Sequence, residues 1–133
     1  MKVVFLDTVG LVAIWDQTDQ WHTAAALAMK AANIPGARFV TTPYILLECG
    51  NAAARKQYRA EVCLLRDRLV RYGDLLDPST NEIEEAWKNY RADRAGGAGI
   101  VDHVSFMVMR RLGITDVFSN DRHFKTAGFN TLF

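Results

Sequence analysis

Four carboxylates, Asp7, Glu48, Asp102 and Asp121, stand beside apolar stretches instead of in solvated runs. Asp7 follows Lys2 to Leu6, Glu48 lies among Ile45, Leu46, Leu47 and Cys49, Asp102 opens the stretch Val101 to Leu112, and Asp121 comes just after Asp116-Val117-Phe118-Ser119. Ionised carboxylates within about 5 Å of one another repel by roughly 3 kcal/mol per pair at an effective dielectric of about 20. Such a group must hold a cation or take up protons. Oxygen ligands alone, without clustered histidine or cysteine, select a hard ion such as Mg2+ or Mn2+. An ion of that kind leaves positions open for water and a substrate phosphate, which suits metal-assisted phosphodiester hydrolysis.

Convergence of the four acids depends on the elements that carry them. Val101, Val104, Val108 and Leu112 recur at helical spacing, Arg110 and Arg111 suit a helix C-terminus and Gly113 a stop, so Asp102 falls in a first helical turn. The run Asp116 to Ser119 is too short for a helix and reads as a buried strand, with Asp121 in the loop beyond its carboxyl end. A helix leading into a parallel strand runs antiparallel to it, which returns Asp102 to the same edge as Asp121. Lys2 to Leu6 reads as another buried strand ending at Asp7. Arg38 to Thr41 reads as a second strand, and Thr42-Pro43 starts a helix reaching about Arg55, with Glu48 in its second turn. Ligands in open α/β sheets bind at that carboxyl edge.

The remaining chain is expected to alternate in the same way. A loop or short helical turn leads through Trp15 to Asp19, the N-cap of a helix from Gln20 to Ala32 in which His22 is structural. A helix from Tyr58 to Tyr72 stops at Gly73, Leu75-Leu76 forms a short strand, Asp77-Pro78-Ser79 opens an acidic helix ending near Arg91, Ala95 to Gly99 is flexible, and Phe129 to Phe133 makes an edge strand. This alternation predicts an α/β fold with a parallel sheet covered on both faces, in one domain spanning residues 1–133.

Composition restricts the function less. A net charge of +1 gives no argument for nucleic acid, although Arg55, Lys56, Arg59, Arg66, Arg68 and Arg71 form a locally basic strip. Cys49 and Cys63 lack ligand spacing and read as reduced core thiols, and Trp15, Trp21 and Trp87 read as core. Asp7 interrupts the first apolar run too early for a signal peptide or a membrane span, so a soluble cytoplasmic protein is expected.

Each acid also has a purely structural reading: Asp102 favours a helix dipole and Asp121 caps the turn Asn120-Asp121-Arg122. Their order and spacing nevertheless resemble the PIN-domain ribonucleases, and among them the VapC-like toxins of bacterial toxin–antitoxin pairs. The resemblance lies in Phe5-Leu6-Asp7-Thr8, Thr42 to Glu48 with Asn51, Val101 to Phe106, and Ser119 to Phe124. It implies a three-layer fold with a central parallel sheet of four to five strands, Mg2+ or Mn2+ on the acids, and cleavage of RNA. It further implies Thr8, Asn51 and Ser119 as polar support, a homodimer, and a small antitoxin partner. Arg122, Lys56 and Arg59 are candidates for contact with flanking phosphates, and His103 is expected to point away from Asp102. Two other classes compete with a nuclease. One is a catalytically silent module of the same fold that binds a partner or a second copy. The other is an aspartyl-phosphate phosphohydrolase, for which Val9 stands where a second aspartate is required.

Overall fold

β1 (Val3–Leu6) lies between β2 (Arg38–Val40) and β3 (Asp116–Phe118), with β4 (Asn130–Thr131) beyond β3. The computed structural model describes residues 2–133, and every strand pair in this sheet is parallel. Phe5 pairs with Val40 on one side and Val117 on the other, and Leu6 pairs with Phe118. Both faces of β1 are covered: Val4, Phe5 and Leu6 are buried, which is why its sequence is a continuous apolar run and not an alternating one.

Seven helices, α1 (Thr8–Trp15), α2 (His22–Ala32), α3 (Pro43–Ala53), α4 (Arg59–Tyr72), α5 (Thr80–Arg91), α6 (Ile100–Leu112) and α7 (Arg122–Thr126), complete the α/β fold among the described residues. Thr42 caps α3, its hydroxyl accepting from the Ile45 N–H, with Pro43 at the first helical position. Gly73 and Gly113 end α4 and α6 in the left-handed conformation that costs an L side chain and not glycine. Ser79 and Glu82 cap α5 reciprocally, and Glu82 also receives Arg111 of α6 at 2.7 Å, so one carboxylate both starts α5 and ties it to its neighbour.

Several expectations need correction. The stretch after Asp7 is an eight-residue helix, α1, longer than the loop or short helical turn expected: Asp7 caps it and Leu11 and Ala13 are buried, so packing overrides the poor helix propensity of its Thr, Val, Ile and Gly. The next helix starts at His22; Asp19 instead forms the turn before it, its carboxylate accepting from the Trp21 N–H. His22 is structural, its Nδ1 standing 2.9 Å from the Ala13 carbonyl. The third helix stops at Ala53, and Leu75 makes only a single bridge to Thr41. The last strand is confined to Asn130–Thr131. Cys49 is buried but Cys63 is exposed, because α4 turns it to the solvent side. Trp21 and Trp87 are also surface residues, and Trp15 is half-buried against Tyr58. Ala95 to Gly99 belongs to a run of turns in which Asp93, Ala95, Gly96 and Gly97 all have positive φ, with the Asp93 carboxylate accepting from the Gly97 N–H.

Gly10 marks the closest approach of α1 to the sheet. A Cβ at this position would lie 2.0 Å from the Phe118 carbonyl oxygen, a backbone atom that cannot swing away. Gly10→Ala is therefore expected to cost about 3 kcal/mol or more in urea unfolding. A cost below about 1 kcal/mol would mean that α1 can slide off β3.

Candidate functional site

Asp7 leaves β1 at its carboxyl end and is 2% exposed. Its Oδ2 accepts from the Ser119 hydroxyl at 2.8 Å and from the Val9 N–H at 3.3 Å. Ser119 directly follows β3, and its Oγ in turn accepts the Asp121 N–H at 3.0 Å. Asp121 caps α7, its Oδ1 taking the His123 N–H at 2.9 Å, while the His123 ring Nδ1 also stands 2.9 Å from that oxygen. Asp102 lies in the first turn of α6 and folds back to accept the Gly99 N–H at 3.3 Å. Glu48 is exposed on α3, and one of its oxygens receives the Thr8 hydroxyl at 2.6 Å.

The electrostatics follow from this crowding. Burial raises the Asp7 pKa from an ordinary 3.8 to about 7, with Asp102 and Asp121 adding to the effect and the Ser119 and Val9 hydrogen bonds opposing it. Burial also lifts Asp102, to about 6, helped by the charges of Asp121 and Glu48 and opposed by Gly99 and His123. Cys49 lies within the field of Asp7 and Glu48, and its thiol, mainly through burial, is pushed up to about 12 and stays protonated.

Asp7 thus feels Asp102 and Asp121, Asp102 feels Asp121 and Glu48, and Ser119 and Thr8 hold Asp7 and Glu48. Asn51 is exposed and makes no side-chain hydrogen bond among the described residues. Lys56 is placed elsewhere, lining a cleft with Trp15, Asp16 and Tyr58, and Arg59 bonds the Ala54 carbonyl at the end of α3. Arg122 is exposed immediately beside Asp121. His103 is buried edge-on to Tyr90 and Phe106, away from the acids as expected. The sequence reading left out His123, whose ring nitrogen and the carboxylate oxygens of Asp102 and Asp121 all lie within 4.8 Å of one another. The signal available for it was its place two residues after an N-cap, where the first turn of a helix faces back to the capping side chain.

The family model of the PIN domain matches residues 4–130 of this chain. The chain belongs to the PIN domain family. The crystal structure of VapC20 from Mycobacterium tuberculosis, described as a sarcin-ricin loop cleaving toxin, superposes on this PIN domain with a TM-score of 0.78. The two share 23% identity over 96% of each chain. Among curated protein sequences none matches the chain. No helix among the described residues is long and apolar enough to cross a membrane.

In the unfolded chain Asp7 ionises near 3.8, whereas in the folded PIN domain it holds its proton up to about pH 7. The folded state therefore binds more protons between those values, and stability falls as pH rises through that window. Asp7→Asn removes the ionisation and keeps an acceptor for Ser119. It should be more stable than the parent by on the order of 3 kcal/mol at pH 8, the gain vanishing near pH 4. Thermal denaturation of both proteins across this range measures it, and an equal gain at both ends would mean that the charge of Asp7 is not what the fold resists.

Proposed function

We propose that this PIN domain is a metal-dependent endoribonuclease, acting through Asp7, Glu48, Asp102 and Asp121, and that it is the toxin of a toxin–antitoxin pair. The observation that carries the reading is the gathering of Asp7, Asp102 and Asp121 at the carboxyl edge of a parallel sheet, where burial raises Asp7 and Asp102. Such a cluster destabilises the protein unless a cation relieves it, and perturbed carboxyls of this kind cluster at working sites. The donor set fits a divalent ion of the Mg2+ or Mn2+ type, since every acid offers oxygen and two are held at one edge by a shared hydroxyl. When bound, that ion supplies charge to the scissile phosphate and acidifies the attacking water.

The chain's own residues prepare the rest. Ser119 fixes Asp7 Oδ2 and the backbone leading to Asp121, which sets the separation of these two acids. Thr8 holds one Glu48 oxygen, leaving the other to orient water at the open side of the cluster. Arg122 is the cation next to the acids and suits a phosphate flanking the one that is cut. The fold likeness to VapC20 and the PIN match support RNA as substrate and a small antitoxin as partner; a homodimer belongs to the same reading.

Cleavage assays on structured RNA hairpins, a sarcin-ricin loop among them, test the proposal with Mg2+, Mn2+ or EDTA. Cutting should require the metal, and Asp102→Asn should lower the rate by at least about a hundredfold while its circular dichroism is unchanged. Ser119→Ala should cost about tenfold to a hundredfold, as loss of a group supporting a ligand does. Cutting that persists in EDTA, or at an undiminished rate in Asp102→Asn, would remove the acids from the mechanism. Mn2+ should also raise the melting temperature more at pH 8 than at pH 5.5, because binding must displace protons from Asp7 and Asp102.

A further inference from the structure

We infer that His123 is a nitrogen ligand in this acidic site, forming with Asp102 and Asp121 a mixed oxygen and nitrogen position for a divalent transition ion. The inference rests on the metal-dependent reading above and goes beyond it, because that reading uses oxygen donors alone.

Several observations converge on it. One donor atom each from Asp102, Asp121 and His123 lie within 4.8 Å of one another. Octahedral coordination at about 2.1 Å sets adjacent donors about 3 Å apart and opposed donors about 4.2 Å apart. The His123 Nδ1 to Asp121 Oδ1 distance of 2.9 Å equals the spacing of an adjacent pair once an ion displaces any proton shared between them, and the Asp102 donor lies within 4.8 Å of both residues' donors.

Backbone geometry, moreover, fixes this pair. Asp121 is the N-cap of α7 and takes the His123 N–H, so the imidazole is carried on the same turn that orients the carboxylate. Behind the ring lies Gly97, where an added Cβ would stand 4.0 Å from Nε2. Backbone and not a side chain borders the imidazole there, and rotation of the ring toward an ion meets no bulky neighbour at this position.

Asp7, by contrast, is turned to Ser119 and the Val9 N–H and stands outside this group of three. An ion on Asp102, Asp121 and His123 is therefore displaced from the centre of the four acids toward α7. Imidazole is a poor ligand for Mg2+ and a better one for first-row transition ions, so this position favours Mn2+ over Mg2+.

Pulsed electron paramagnetic resonance of the full chain loaded with one equivalent of Mn2+ reads the inference without any cleavage assay. The parent should show coupling to a 14N nucleus, and His123→Gln should lack it. Titration should find Mn2+ bound about tenfold more weakly by His123→Gln, with Mg2+ affinity within about twofold of the parent. Bound Mn2+ without nitrogen coupling in the parent would reduce His123 to a hydrogen-bond donor for Asp121 and overturn the inference, and that spectrum decides even if the variant does not fold. Equal weakening for both ions would overturn it as well. Metal-dependent RNA cleavage alongside either result would leave the nuclease reading standing, whereas a parent chain that binds no Mn2+ would remove both.

Discussion

A single hydroxyl holds the carboxyl ends of the two central strands together. Ser119 gives its proton to Asp7 and takes the N–H that precedes the Asp121 side chain, so donor and acceptor capacity are both used in a place closed to water. Without it Asp7 would be a buried carboxyl bonded only by a long contact to Val9, and an underpaired group of that kind costs on the order of 1 to 3 kcal/mol. The parallel pairing of β1 with β3 brings the hydroxyl within reach, and the contact of Gly10 with Phe118 keeps α1 tight on the same pair.

Helix starts carry the other part of the arrangement. Asp7 caps α1, Asp121 caps α7, and Asp102 lies in the first turn of α6. The partial positive charge of a helix N-terminus offsets some of the repulsion that three acids at one edge generate. The structural and the chemical roles of these residues are thus the same feature seen twice. A carboxylate placed to begin a helix at the carboxyl edge of a sheet also faces the crevice in which ligands of such sheets bind.

Much of this was legible in the sequence because local rules and tertiary packing agree there. The strand before Asp7, the Thr42-Pro43 start and the Gly73 and Gly113 stops are all read from short-range chemistry that the fold leaves intact. Where packing decides, the reading was less successful. α1 has the propensities of a loop or strand and becomes helical because it is capped by Asp7 and pressed onto β3. Trp21, Trp87 and Cys63 are apolar by type yet face outward, since residue type alone does not say which side of a helix meets the core. Asp7, Asp102 and Asp121 stand where the sequence places them, after strands and at helix starts. His123 comes beside them through the turn closed by Asp121, which no period reveals, since α7 has only five residues. Lys56, a candidate for contact with a flanking phosphate, follows the end of α3 and lines a cleft with Asp16 and Tyr58.

The order of the strands has a consequence for the making of the chain. β1 is translated first and occupies the middle of the sheet, while β3, which must lie against it, comes more than a hundred residues later, with Ser119 and Asp7 separated by 112 positions. Chain segments fold as they emerge during synthesis, and contacts between distant segments form late. A nascent chain therefore presents β1 with one flank open and Asp7 without its hydroxyl until β3 and Ser119 have left the ribosome. The arrangement of Asp7 with Asp121 is thus completed only once Ser119 has emerged and β3 has paired with β1.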